Sequence, residues 1–293
     1  QRTPTWFFAR PAKDWLANLL RKIMPEMWAY KIIRFKNVQL QNIAFKMARD
    51  NPQKVIEKLE KPLKKELGDK YVKEDYTPPY GPWEQRLCLV PDSDMFKAIA
   101  AGKADLKTGH IETVTETGIK LKSGETIDAD IIVTATGLKL AVAGKVAFEV
   151  DGKPVHWPDH YYYKGCMFSD IPNLAVVFGY LNASWTLKAD VVSEFTCRLL
   201  HHMDATSTRI ANPVLDTTLE QEELFDFSSG YIQRSLSELP RNSTTMPWKL
   251  SQDYLFEKKV LVNDPIDDGV LRFYGPNSER PADGSEATLE AAE

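Results

Sequence analysis

Apolar residues recur at helical spacing through the first third of the chain. This spacing predicts helices over residues 13–24, which Pro25 ends, and over residues 28–49. Asn51-Pro52 is typical of a cap followed by a first-turn proline, so a third helix begins there and Pro62 should end or bend it. The many lysines between the apolar positions are typical of a solvated helix face rather than of a phosphate site.

The pattern changes after residues 76–83, where Pro and Gly interrupt the chain and predict a loop. Alternating residues around Ile119 and Leu121, a turn at Ser123-Gly124 and then Ile127 predict a hairpin. The apolar runs 129–133 and 173–179 predict two buried strands.

A long amphipathic helix follows over residues 187–203, with apolar residues four apart. Ser184 or Asn182 could cap its start, and His201 and His202 suit the negative end of its dipole. The Gly-, Ser-, Glu- and Ala-rich residues from 276 onward predict a disordered tail. The pattern as a whole predicts an α/β protein with a helical first third.

The net charge, the cysteines and the lengths of the apolar runs exclude some classes of protein. The net charge of −4 argues against a nucleic-acid partner. Three widely spaced cysteines form no disulfide framework, and no apolar run reaches the length of a transmembrane segment, so we expect a cytoplasmic protein, with peripheral contact to a membrane left open. The chain lacks an initiator Met and a signal peptide and opens on Gln1-Arg2-Thr3-Pro4, which is typical of a strand end and indicates a truncated sequence.

Four places could carry chemistry, and each has a plainer interpretation. His156 and His160 have a metal-like spacing, but Pro158 prevents a helix there, so we expect no metal site. Thr134-Ala135-Thr136-Gly137 follows a predicted strand and would let a ligand approach the backbone, or it is a simple turn.

The corner 182–186 joins a predicted strand to the long helix, where ligands gather in α/β sheets, although a well-capped corner would look the same. Arg86 emerges from the Pro-rich loop into an apolar run. From the residues alone, an ion pair with Glu84 or Asp94 is the simpler interpretation of this arginine.

Four motifs in order, however, resemble one family, the class B flavoprotein monooxygenases. They are Gln-Arg-Thr-Pro at 1–4, Pro-Trp-Glu-Gln-Arg-Leu-Cys at 82–88, Ala-Thr-Gly at 135–137 and Gly-Tyr-Leu-Asn-Ala-Ser-Trp-Thr-Leu-Lys at 179–188. The resemblance is greatest to the Baeyer–Villiger branch, which includes the ethionamide-activating monooxygenase, and it extends from residue 1 to about residue 265.

The resemblance implies the C-terminal part of a flavoprotein with two dinucleotide-binding domains, one for FAD and one for NADPH, and a helical insertion. Residues 1–4 would end a strand of the NADPH domain, 5–80 would be the insertion, and 81–134 would return to the NADPH domain. Residues 135–275 would hold the second half of the FAD domain and the C-terminal region, followed by the tail 276–293.

The resemblance also implies roles for individual residues. Arg2, with Thr3 beside it, would bind the 2′-phosphate of NADPH. Gln85 stands where some members have a second, lysine contact, and Arg86 matches the active-site arginine. The flavin would be met by the following residues: Thr136, Gly137, Asn182, Ala183, Ser184 and Trp185.

The implied reaction uses NADPH and O₂ to insert one oxygen atom into a ketone, giving an ester, or to oxidise a thioether or amine. The family's FAD and NADPH glycine motifs, its FxGxxxHxxxWP signature and its active-site Asp are absent from the sequence, so we do not expect these 293 residues alone to hold FAD or turn over. The alternative is a catalytically inactive fragment that only binds a partner.

Overall fold

The computed structural model describes residues 1–275, which form two compact units. The first unit contains residues 1–137 and the short segment 227–229, and the second contains residues 138–226 and 230–275. The described residues form a mixed α/β protein, as the sequence predicts. The predicted tail 276–293 lies outside the described residues.

The first unit combines a parallel strand pair, a set of helices and an antiparallel sheet. Its elements are β1 (Phe7–Arg10), α1 (Trp15–Ile23), α2 (Glu26–Asp50), α3 (Pro52–Leu67), α4 (Lys73–Tyr76), β2 (Cys88–Pro91), α5 (Asp94–Ala100), β3 (Ile111–Val114), β4 (Gly118–Leu121) and β5 (Thr126–Asp128). Strand β1 pairs with β2 in parallel, and β3, β4 and β5 form an antiparallel sheet. A core of β1, α3, α4, β2 and α5 side chains holds the parallel pair: Phe7, Leu63, Leu67, Tyr76, Val90, Phe96 and Ile99.

The three predicted helices of this unit and the hairpin are confirmed. Pro62 does not end its helix, because α3 continues through it to Leu67. Strand β1 was not predicted from the sequence, and it lies within the range 5–80 predicted to be a helical insertion. A four-residue strand without alternation carries too little pattern to be distinguished from the surrounding helical sequence.

The second unit is built around one long helix. Its elements are β6 (Glu149–Val150), β7 (Lys153–Pro154), β8 (Tyr162–Tyr163), β9 (Met167–Phe168), α6 (Trp185–Ala205), β10 (Ile210–Pro213), β11 (Gln221–Glu222), α7 (Gly230–Gln233), β12 (Asn242–Ser243), α8 (Tyr254–Lys258) and β13 (Leu271–Tyr274). The strands form two-stranded antiparallel pairs. The predicted long helix is confirmed as α6, and its inner face is buried at Leu187, Val191, Val192, Phe195 and Leu199.

The two predicted buried strands are wrong for this structure. Residues 129–133 and 173–179 belong to no strand, and Ile131 and Val133 are 82% and 83% exposed. Val176 donates an isolated backbone hydrogen bond of 2.7 Å to Cys166, but no ladder forms. A buried strand needs a neighbouring strand to satisfy its backbone groups, and the described residues offer none beside these runs.

In the part of the chain that the structure describes, no helix combines the length and the apolar character needed to cross a membrane.

Candidate functional site

The parallel pair brings the first motif beside the Pro-rich loop. Phe7 is level with Cys88, and Cys88 N–H donates a 2.8 Å hydrogen bond to Trp6 O. Tyr80 ties the two segments together, because its carbonyl accepts from Trp6 Nε1 at 2.8 Å and its hydroxyl donates to Pro4 O at 3.2 Å. Residues 4–6 therefore lie beside Tyr80 and Cys88. Residues 1–4, which were predicted to end a strand, form no strand in the structure.

The start of the first motif is also fixed by hydrogen bonds. Gln1 Nε2 donates to Asp75 O at 2.7 Å and to Thr108 Oγ1 at 2.9 Å, while Gly109 N–H donates to Gln1 O at 2.8 Å. Arg2 and Thr3, the next two residues, are exposed. The backbone before them is thus held, and both side chains are accessible to a ligand.

Loop residues Glu84 and Gln85 contact the short segment 227–229. Ser228 N–H donates to Glu84 O at 3.0 Å, and Gln85 Nε2 donates to Ser228 Oγ at 3.3 Å. The Gln85 amide is therefore engaged within the protein. Sequence reasoning did not find Ser228, because it lies 143 residues along the chain from Gln85.

Arg86 follows directly and is exposed, two residues before β2 begins. The turn before it is strained, since Trp83 has a φ of 67° and packs edge-on against Phe45 with ring centroids 5.9 Å apart. This packing gives the strained turn a fixed support within the first unit. Arg86 therefore follows a constrained turn, and its side chain as a whole is exposed.

Thr136 and Gly137 end the first continuous stretch of the first unit and lie in an exposed run that follows the predicted strand 129–133. Gly137 has a φ of 105°, and a Cβ built there would meet nothing within 4 Å. The glycine is therefore required by the backbone conformation, and the space beside it is open to a ligand.

The corner 182–186, which belongs to the fourth motif, lies in the second unit. Ser184 is the N-cap of α6, with φ −65° and ψ 135°, but its hydroxyl contacts Thr186 Oγ1 at 2.8 Å instead of capping the helix. The Trp185 ring covers Gly179 so closely that a Cβ there would come within 2.1 Å of it. Trp185 is nevertheless 49% exposed, and Asn182 and Ala183 are half-buried, so the corner is rigid on one side and accessible on the other.

A buried ion pair that the sequence did not reveal supports this corner. Lys188, in the first turns of α6, donates to both carboxylate oxygens of Glu257 on α8 at 2.7 Å. Tyr180 donates to the same carboxylate at 2.5 Å, and Leu181 N–H donates to Gln252 Oε1 at 2.7 Å. Residues on both sides of 182–185 are thus fixed to the segment 252–257.

The pair is out of water, with the Lys188 and Glu257 side chains 1% and 3% exposed. Burial raises the pKa of Glu257 above its ordinary value, and the Lys188 ammonium opposes that shift. Burial likewise raises the pKa of the neighbouring Cys166 thiol to about 12, so this cysteine is not a nucleophile near neutral pH.

His156 and His160 do not come together on a helix face. Trp157–Asp159 forms a 3₁₀ turn between them, His156 Nδ1 lies 3.1 Å from Asp159 Oδ2, and His160 Nδ1 lies 2.7 Å from Ser169 O. Within residues 1–275, no group of three or more His, Cys, Asp or Glu residues could hold a metal ion.

Comparison with curated proteins points to one class, the FAD-dependent monooxygenases. Proteins named as FAD-binding or FAD-containing monooxygenases are similar to the chain over 93–96% of its length, which confirms the resemblance that the motifs indicated. No family model matches the chain, and no solved structure matches it.

The relatives include the "Probable FAD-binding monooxygenase AlmA" of Acinetobacter baylyi, 41% identical over 275 residues, which are 93% of this chain and 55% of the relative. The "FAD-containing monooxygenase EthA" of Mycobacterium tuberculosis is 42% identical over 286 residues, 96% of this chain and 57% of the relative. EthA of Mycolicibacterium smegmatis is 39% identical over 275 residues. The chain spans a little over half the length of these relatives.

Proposed function

We propose that this chain is part of a longer FAD-dependent, NADPH-using monooxygenase that inserts one atom of O₂ into a ketone or oxidises a thioether or amine. The observation that carries the proposal is the similarity of nearly the whole chain to proteins named as FAD-binding or FAD-containing monooxygenases. In the longer protein, residues 1–4 and 81–134 would belong to the NADPH domain, 5–80 to the insertion and 135–275 to the FAD domain and C-terminal region.

Exposure supports part of this assignment, since the following candidate residues are exposed: Arg2, Thr3, Arg86, Thr136, Gly137, Ser184 and Trp185. The resemblance makes Thr136 and Gly137, and likewise residues 182–185, the expected FAD contacts. Open space beside Gly137 supports the first group, and the exposed start of α6 at Ser184–Thr186 supports the second. Arg2 and Thr3 would bind the NADPH phosphate, and Gln85 stands where the resemblance implies a second contact, although its amide donates to Ser228 Oγ. Bound FAD would supply the redox chemistry.

The chain's own contribution would be binding, orientation and charge. The helix N-terminus at Ser184 would present the positive end of the α6 dipole to an electron-rich part of the flavin. Arg86 would stabilise the negative charge that develops on oxygen during transfer to a carbonyl, since a guanidinium stays charged at working pH. This assignment makes ketones the substrates that depend most on Arg86.

The test is made on the full-length protein loaded with FAD. A flavin absorption band that NADPH bleaches and O₂ restores supports the proposal, and competition between a ketone and a thioether then ranks the two substrate classes. A folded full-length protein that holds no flavin would favour the alternative of a partner-binding module without catalysis.

A further inference from the structure

Helix α1 exposes a stripe of large apolar side chains. Trp15, Leu19 and Ile23 lie four residues apart on one face and are 73%, 44% and 66% exposed. An isolated exposed leucine is ordinary, but three large apolar residues in a row on one short helix are not.

Helix α2 repeats this arrangement over a greater length. Trp28, Ile32, Phe35 and Ile43 fall on one helical face and are 63%, 43%, 68% and 56% exposed. Within the described first unit, these rings and aliphatic chains face solvent. A surface with this much exposed apolar area is typical of an interaction site.

The two stripes belong to one helical hairpin, residues 13–50, which we call the basic hairpin. Helix α1 packs against α2, and an ion pair between Asp14, the N-cap of α1, and Lys36 on α2 joins them. The exposed apolar faces of both helices therefore belong to one packed hairpin.

The charge of the basic hairpin is opposite to that of the rest of the chain. It contains eight Lys and Arg but three Asp and Glu, a net charge of +5, in a chain whose net charge is −4. Cations lie over the aromatic rings, with Lys31 Nζ 5.7 Å from the Trp28 ring and the Arg34 guanidinium 5.9 Å from the Tyr30 ring. Apolar side chains interleaved with lysines and arginines are typical of helices that lie in a lipid headgroup region.

We propose that the basic hairpin docks on the surface of an anionic lipid bilayer, with the apolar stripes inserted at the headgroup boundary and the cations against lipid phosphates. The net charge of +5 favours this occupant over a second copy of the same face. A second copy would bring two surfaces of charge +5 together, which repel each other, whereas an anionic bilayer attracts this charge and takes up the apolar side chains. This inference goes beyond the proposed reaction and does not depend on it.

The experiment mixes the full-length protein with sedimenting vesicles of phosphatidylcholine alone or with phosphatidylglycerol added. We expect binding to the anionic vesicles that weakens as salt is raised, and weaker binding to the neutral ones. Equal binding to both vesicles, or none to either, overturns the proposal.

Matched variants locate the surface. Trp28→Gln with Phe35→Gln should weaken vesicle binding about tenfold or more, the scale of losing two partly buried aromatic side chains. Lys31→Glu with Lys46→Glu should weaken it at least roughly fivefold per position. The controls are Ile111→Gln with Val114→Gln on β3, which are 54% and 60% exposed, and Lys103→Glu with Lys122→Glu, all outside the basic hairpin.

The controls should bind vesicles as the unchanged protein does, and all variants should keep their melting temperature and their turnover of a water-soluble substrate. If the hairpin variants instead lower the melting temperature, this face packs inside the longer protein. If they change the association state measured by light scattering, the face joins two copies. Either result overturns the proposal without touching the monooxygenase reaction.

Discussion

Arg86 is exposed at the end of a loop that Trp83 and Phe45 hold in place. If it stabilises developing negative charge on oxygen, Arg86→Ala in the full-length enzyme should lower ester formation about 10²–10³-fold, the scale of losing one preorganised electrostatic donor. Arg86→Lys should also be poorly tolerated, because lysine lacks the planar fork. Flavin content should be unchanged, and NADPH oxidation should continue without ester formation.

The competing role for Arg86 is structural, through an ion pair with Glu84 or Asp94. Product formation, flavin content and melting temperature are therefore measured on the same preparation. A variant that keeps full ester turnover but melts earlier would show that Arg86 supports the loop and not the reaction.

Arg2 is the second residue-scale assignment. Because a guanidinium binds a phosphate through paired hydrogen bonds, Arg2→Ala should raise the KM for NADPH by roughly ten- to a hundredfold and leave the KM for NADH nearly unchanged. Arg10→Ala, an exposed arginine at the end of β1, is the matched control and should change neither value. Equal losses with both cofactors would make Arg2 a structural residue.

At the scale of elements, the corner before α6 offers a clean test of flavin positioning. Ser184 has a φ of −65°, which proline adopts without strain, and its hydroxyl does not cap the helix. Ser184→Pro should therefore keep the fold while removing one backbone N–H from the helix start, and it should lower the bound flavin fraction. Normal flavin content and an unchanged flavin redox potential in this variant would count against the assignment.

The ion pair of Lys188 and Glu257 makes a separate prediction about stability. Lys188→Met leaves a carboxylate buried without its cation and should lower the free energy of unfolding by about 3–5 kcal/mol, measured by urea titration. The double variant Lys188→Met with Glu257→Leu should lose less than the two single variants together. A single-variant loss below about 1 kcal/mol would mean that the site is more hydrated than the structure shows.

Glycine substitutions give this prediction a matched control. Gly165 and Gly152 have φ values of 63° and 77°, but a Cβ at Gly165 would lie 2.8 Å from Lys188 Nζ, whereas one at Gly152 would meet nothing within 4 Å. Both Gly→Ala changes therefore share the backbone strain, and Gly165→Ala alone disturbs the ion pair. It should be the more destabilising of the two.

The sequence allows some helices and strands to be predicted and not others. Helices α1, α2, α3 and α6 could be predicted because a helix satisfies its backbone locally and shows its buried face as a repeat. The conformation of the apolar runs 129–133 and 173–179 could not be predicted from their composition, since an apolar run becomes a strand only where a partner strand lies beside it. The pair of Lys188 and Glu257 could not be predicted either, because its members are 69 residues apart.

At the scale of the whole molecule, the run around Ile131 and Val133 shows why composition alone does not identify a strand. The run has the apolar composition of a buried strand, but it is exposed and has no partner strand among residues 1–275. The chain spans 55–57% of the length of its relatives AlmA and EthA, so the experiments use the longer protein.

The most direct test of the proposed monooxygenase reaction traces an oxygen atom from O₂ into the product. Full-length protein loaded with FAD is given NADPH, a ketone and ¹⁸O₂, and the product is analysed by mass spectrometry. The account predicts an ester that carries one ¹⁸O atom from the gas, formed only when NADPH is present. A flavin-loaded, folded enzyme that consumes NADPH but yields no labelled product from ketone, thioether or amine would contradict it.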